Sequence, residues 1–297
     1  LLDKLSGLLS TLLVSILPHH ACAGLMHRLA RVRITDVKNV LIRSFINHYR
    51  VDMTEARQPD PLAYPDFNSF FTRALAPGAR PIVAGVSEVA CPVDGVVSQA
   101  GAIEQGRLLQ AKGIHYTLAA LLGDDEELAQ RFQDGCFATL YLSPRDYHRV
   151  HMPLAGTLTA MRYIPGRLFS VNDFSTRHVR NLFARNERLI TLFDTAAGPM
   201  AVILVGAFFV AGIETVWAGA ISRSRPQGYW QRYRHGRSVT VELGRGEEMG
   251  RFNMGSTAIV LFGPGRARWT ETLLPGAKVR MGELMGNAPG MDFKSTP

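Results

Sequence analysis

From about Arg80 onward, short apolar runs alternate with Gly and Pro turns. Residues 95–98, 137–142, 158–164 and 238–243 are the clearest runs. Short strands this frequent, bounded by turn signals, predict a mostly antiparallel β body. One helix is expected to interrupt it near residues 118–132. The first 75 residues read differently. Between 32 and 49, Val37, Val40, Leu41, Phe45 and Tyr49 recur at helical spacing and predict a helix with that face buried. Asp66 is placed to cap a second, short helix carrying Phe67, Phe70 and Phe71 on one side. The expected fold class is therefore α+β: a helical N-terminal region over 1–75, then a β-rich catalytic domain over 76–297.

Composition narrows the function classes. The chain has 297 residues, 46% hydrophobic and 20% charged, which excludes wholesale disorder. Three cysteines (Cys22, Cys91, Cys136) without a CxxC pair argue against a disulfide framework or a cysteine-built metal site, and fit a reducing compartment. The net charge of +8 is unevenly spread. Residues 1–50 hold seven Lys or Arg against two acids, and residues 223–237 hold five Arg and no acid. Both stretches interleave cations with apolar or aromatic side chains, as in Tyr229-Trp230-Gln231-Arg232-Tyr233-Arg234. That pattern suits an anionic membrane surface better than nucleic acid; an ordinary solvated basic face stays open for the second stretch.

Two uncharged runs bear on membrane contact. Residues 5–17 form a run of 13, short of the roughly 20 needed to cross a bilayer. It reads either as a monotopic anchor or as a buried helix; a signal peptide is the weaker alternative, because Lys4 is offset by Asp3. Residues 195–213 form a run of 19, a spanning length, but Gly198-Pro199, Gly206 and Gly212 punctuate it. Residues 202–205 and 208–210 are expected to be two buried strands instead.

Three local patterns carry chemistry. The first is Pro92-Val93-Asp94-Gly95. The second runs from Leu142 through Ser143-Pro144-Arg145-Asp146-Tyr147-His148-Arg149-Val150-His151 to Met152-Pro153. The third is Gly250-Arg251-Phe252-Asn253-Met254-Gly255-Ser256-Thr257, followed by an apolar run. Ser143, Pro144 and Asp146 have helix-start character. If a helical turn reaches His151, the two histidines share a face; if the chain extends after His148, they diverge. Either histidine alone is ordinarily structural, and no further ligand sits near enough in sequence to favour a metal. Ser256 follows a glycine at a strand start, where an unhindered backbone carbonyl is open to attack. Asp94, His151 and Ser256 together could form a nucleophilic triad, although order in sequence does not establish proximity.

These segments, taken over residues 92–99, 141–153 and 250–257, with Tyr49-Arg50-Val51-Asp52-Met53 and residues 165–172, 181–188 and 214–219, resemble bacterial phosphatidylserine decarboxylases, pyruvoyl-dependent membrane enzymes. The likeness extends over nearly the whole chain. One departure is Met254, where the family's self-cleavage signature usually has Leu. The resemblance implies that Ser256 attacks the carbonyl of Gly255, with His151 as general base and Asp94 orienting its imidazole. The chain would divide into 1–255 and 256–297, which stay together as a heterodimer. Ser256 would become a covalent pyruvoyl cofactor that forms a Schiff base with phosphatidylserine. His148 would act in decarboxylation, as proton donor or by orienting the substrate carboxylate. Phosphatidylserine and membrane lipid are the implied partners, with a homodimer of the cleaved unit, no metal and no nucleic acid. The implied location is the cytoplasmic face of the cell membrane. Two rivals stand beside it: a Ser-His-Asp lipid esterase that uses the same residues on a substrate rather than on itself, and a non-catalytic lipid-binding domain.

Overall fold

The computed structural model describes residues 19–207, 212–221, 227–233, 240–253 and 256–289. Two helices lead, α1 (His19–Leu29) and α2 (Thr35–Tyr49), followed by a 3-10 turn (Pro61–Ala63) and α3 (Phe67–Phe71). Asp66 caps α3 as expected, its Oδ1 accepting from Ser69 N at 2.8 Å. The buried face of α2 is displaced from the expected one. Ile42 and Lys38 are covered, while Val37, Val40 and Tyr49 face outward. The cause is α3: Phe45 meets Phe67, Phe70 and Phe71 edge-on, which fixes the stripe through 38, 42 and 45 as the inner one. Lys38 is tolerated there because its ammonium donates to Leu62 O at 2.7 Å. With Ala30 and Val51 these side chains make a small core of their own.

The strands in chain order are β1 (Glu88–Ala90), β2 (Gly95–Ala102), β3 (Arg107–Ala111), β4 (Ile114–Thr117), β5 (Cys136–Leu142), β6 (Arg149–His151), β7 (Gly156–Ile164), β8 (Arg188–Thr195) and β9 (Gly198–Gly206). They continue as β10 (Ile213–Thr215), β11 (Gly219–Ala220), β12 (Tyr229–Arg232), β13 (Glu242–Leu243), β14 (Glu248–Phe252), β15 (Ser256–Phe262), β16 (Arg268–Trp269), β17 (Lys278–Val279) and β18 (Leu284–Asn287). Short helices α4 (Leu118–Leu121) and α5 (Glu126–Gln130) follow β4, and α6 (Asp173–His178) and α7 (Leu182–Arg185) follow β7. The main antiparallel sheet has the order β12-β7-β8-β9-β15-β5-β2-β17, with β13 also on β7. Three smaller sheets are β1-β18-β16, β11-β10-β14-β6 and β3-β4. The helix-then-antiparallel-β order is the one the sequence predicts.

β15 is central, paired along its length with β9 and β5. Ala258, Val260 and Phe262 enter one core with Leu140, Val202, Val150 and Phe252. Ile259 and Leu261 enter another with Phe137, Ile203, Leu118, Leu128 and Phe183. Smaller sheets cover the first face, and the β3-β4 hairpin with short helices covers the second. Burial on both faces explains why residues 202–205 and 258–262 are continuously apolar rather than alternating.

Other expectations need correction. The single helix near 118–132 is two, because Gly123 and Asp124 take left-handed conformations at φ 82° and 59°. Residues 226–236, with their Pro, Gly and Arg content, read from sequence as an exposed loop; they contain edge strand β12, pinned to β7 by Tyr229 against Tyr163 and by Arg162 over the Trp230 ring. Of the strand expected at 238–243, residues 240–243 are described, and 242–243 of these form β13. The segments 1–18 and 208–210 lie outside the described residues. Among the described residues, no helix is long and apolar enough to cross a membrane.

Candidate active site

The site forms where β5 ends and β15 begins. After Leu142 the chain makes a turn, not a helix: Asp146 N donates to Ser143 O at 2.9 Å, and the Asp146 carboxylate accepts from Ser143 N at 2.7 Å. It then runs extended through β6, so the two histidines diverge. β6 pairs with β14, which puts Glu248 across from His151, and Phe252 N donates to His148 O at 3.0 Å. On the other side His151 N donates to Pro92 O at 2.9 Å, which brings up the segment carrying Asp94. Gly95 lets β2 pass close to β5; a Cβ there would stand 2.2 Å from Tyr141 O. The Ser256 backbone lies in register between Leu142 and Gly206. Asp94, His148, His151 and the Ser256 backbone are thus gathered at one end of the central sheet. Gly255 and Met254 lie outside the described residues.

His151 is nearly buried and held at both nitrogens. Its Nδ1 lies 2.8 Å from Gly246 O and its Nε2 lies 2.9 Å from the Tyr147 hydroxyl. A carbonyl only accepts, so the proton belongs on Nδ1 and Nε2 accepts from Tyr147. Burial lowers the His151 pKa, against which the Gly246 hydrogen bond and the charges of Glu248 and Asp94 act. The result is a neutral ring whose basic lone pair is on Nε2.

Asp94 occupies a different position from the one the triad reading gives it. Its carboxylate accepts from Arg80, Nε to Oδ1 at 3.0 Å and Nη2 to Oδ2 at 2.6 Å, and from Met281 N at 2.8 Å. Arg80 also pairs with Glu55 at 2.7 Å. No hydrogen bond joins Asp94 to His151; Tyr147 and Gly246 orient the imidazole here. Asp94 instead ties the 80–94 region to the segment after Ser256.

His148 is wholly buried, stacked on Phe71 with ring centroids 4.1 Å apart. Its nitrogens face the carbonyls of Ser143 and Pro144 without closing a well-directed hydrogen bond. Burial first, and the nearby charge of Arg73 second, push its pKa down to about 3. The stretch after Phe71 also grips this region: Arg149 Nε donates to Thr72 O at 2.9 Å, and Arg73 Nη2 donates to Arg145 O at 3.1 Å. Reading the sequence assigns no place in the site to Tyr147, Gly246, Phe71, Arg73 or Arg80. Tyr147 sits inside a quoted motif and was findable. A backbone carbonyl such as that of Gly246 leaves no side-chain signal.

A family model described as phosphatidylserine decarboxylase matches residues 67–287, which include every element of this site. The chain belongs to the phosphatidylserine decarboxylase family. A second model, described as PSD, matches residues 9–50. The chain is 55% identical over 273 residues to the phosphatidylserine decarboxylase proenzyme of Ectopseudomonas mendocina, covering 92% of this chain and 96% of that protein. It is 54% identical to the proenzyme of Bordetella petrii, over 90% of this chain and 93% of the other. The Stutzerimonas stutzeri proenzyme is 52% identical over 92% of both chains.

Proposed function

We propose that this chain is a proenzyme that cuts itself between Gly255 and Ser256 and then decarboxylates phosphatidylserine to phosphatidylethanolamine and CO2. The observation that carries this reading is the register at the sheet end: β14 runs antiparallel to β6 and leads into Ser256, beside two histidines in opposite states. Neutral His151 has Nε2 to take the Ser256 hydroxyl proton as that oxygen attacks the Gly255 carbonyl. Tyr147 must release that nitrogen first. Asp94 acts through its charge and by holding the Met281 backbone. Ester formation, elimination and hydrolysis then convert residue 256 and release ammonia. The pyruvoyl ketone supplies the electron sink that loss of CO2 requires. The site suits such a group, since His148 offers two buried nitrogens that have no hydrogen-bond partner among the described residues. At neutral pH His148 is uncharged, so it is suited to donate a hydrogen bond to the substrate carboxylate rather than to deliver a spare proton.

The division at 75/76 follows the separate helical core. The N-terminal region is placed against the cytoplasmic face of the membrane, peripherally. Leu25, Ile34 and Val40 are 67%, 65% and 63% exposed on α1 and α2 or beside them, interspersed with Arg28, Arg31, Arg33 and Arg43. Apolar side chains ringed by cations suit anionic headgroups. The segments 1–255 and 256–297 stay joined after cleavage, because β15 is buried between β5 and β9. Pairing of two such units rests on the family resemblance alone.

The test is a denaturing gel with the intact mass of each band. Self-processing gives two chains, the smaller beginning at residue 256 without a free serine amine. Both should elute together on a native column, and Ser256→Ala should stay one inactive chain. One intact chain with full decarboxylase activity would end the proposal.

A further inference from the structure

Among the described residues, Arg73 is a buried cation without a counter-ion in contact. It is 4% exposed, and its Nε and Nη1 have no hydrogen-bond partner among the described residues. Nη2 holds the Arg145 carbonyl, and the guanidinium stands 5.7 Å from the Phe70 ring centroid. Tyr64, Asp94, Asp146 and Asp52 act on it at longer range, and desolvation outweighs them, lowering its pKa. Leaving two guanidinium donors dry and unpaired is costly unless an external anion meets them.

Two cavities border this side chain. One, of about 550 Å³, is lined by acids as well as bases, among them Asp52, Glu55, Asp94 and Asp146. The other, of about 470 Å³, is lined by Arg57, Tyr64, Ser69, Arg73, Arg149 and Arg251 with no acidic side chain. Arg149 and Arg251 both pair with Glu248, at 2.7 and 2.8 Å, leaving the cluster with net positive charge. The cavity is close to the reaction. Phe71, two residues before Arg73, carries His148, and the carbonyl Arg73 holds is three residues from Leu142, the cross-strand partner of Ser256.

We infer that Arg73 receives the phosphate of the substrate headgroup in the cavity it shares with Arg57, Arg149 and Arg251. This rests on the decarboxylase reading above. A phosphate and a carboxylate both match a guanidinium fork, but they differ in what the reaction does to them. The carboxylate leaves as neutral CO2, so an arginine on it would stabilise the ground state more than the transition state. The phosphate keeps its charge throughout, and a cation there binds substrate and transition state alike. Such uniform binding lowers KM and leaves kcat unchanged.

The experiment uses processed enzyme and phosphatidylserine in mixed detergent micelles, with Arg73→Gln and Arg73→Lys. Arg73→Gln should raise KM about 10- to 100-fold, the usual worth of a hydrogen bond to a charged group, with kcat within about twofold. Arg73→Lys, which keeps the charge but loses the fork, should fall between Gln and wild type. Glycerophosphoethanolamine, which has the phosphate and amine but no carboxylate, should lose inhibitory potency in parallel with the rise in KM. If Arg73→Gln yields no processed protein, Arg73→Lys alone carries the test, with the same signs and smaller shifts. Unchanged KM and inhibition with an active wild type would overturn the inference. So would a raised KM with unchanged inhibition, which would place the carboxylate there instead. A wild type that releases no CO2 would refute the decarboxylase reading itself, a result distinguishable from either.

Discussion

His148 and His151 stand three positions apart in the chain, and their surroundings are opposite. His151 lies between Tyr147 and Gly246, with both nitrogens engaged and its tautomer fixed by the chain itself. His148 lies under Phe71, and neither of its nitrogens has a hydrogen-bond partner among the described residues. A histidine whose partners are all internal is prepared for a proton transfer within the chain. One whose buried nitrogens are empty is prepared for a ligand from outside. Under the proposed function, the first histidine serves processing and the second turnover, a division this contrast supports.

The largest expected effect separates them most sharply. His151→Ala should slow self-cleavage by about 10²- to 10⁴-fold, the range for losing a positioned general base. A time course on a denaturing gel reads this directly, and cleavage at the wild-type rate would break the assignment. His148→Ala should leave two bands and reduce CO2 release by about 10- to 100-fold, the worth of a hydrogen bond to a charged group; equal loss of processing would merge the two roles. Tyr147→Phe removes one hydrogen bond of about 1 kcal/mol net, about a fivefold effect on an equilibrium. Tyr147 now occupies the lone pair that Ser256 needs, so the variant should process severalfold faster at neutral pH, and a slower rate would mean that the hydroxyl assists the transfer. The smallest effect concerns pH. A base works while neutral, so processing is lost as pH falls through its folded pKa. Burial puts that pKa below the usual 6.5. At pH 6 an unperturbed histidine would be only about one-quarter neutral, so wild-type processing should exceed that fraction of its plateau, with its inflection below 6.5. An inflection at or above 6.5 would show that the Glu248 and Asp94 charges outweigh burial.

The helical region shows where reading the sequence reaches its limit. Helical spacing in α2 is correct, but its inner stripe is Lys38, Ile42 and Phe45 rather than the one through Val37 and Val40. Periodicity finds an apolar face; which side is buried depends on what packs against it, and α3 supplies that. Gly123 gives only a weak local signal that α4 and α5 are separate, because a single glycine inside a helical pattern is often tolerated.

The chain's own residues determine much of this protein. The apolar runs and their turns set the helix-then-β order. The continuous runs at 202–205 and 258–262 mark strands covered on both faces. The motifs at 92–99, 141–153 and 250–257 carry the family. Only the tertiary structure decides which groups meet. It puts Asp94 on Arg80 and Met281 rather than on His151, turns a backbone carbonyl into the partner of a catalytic candidate, and leaves two buried donors of Arg73 without a partner among the described residues. Residue types limit the chemistry a side chain can perform. Hydrogen-bond partners and burial, which select among those possibilities, come from segments remote in the chain and are fixed only when the sheet closes.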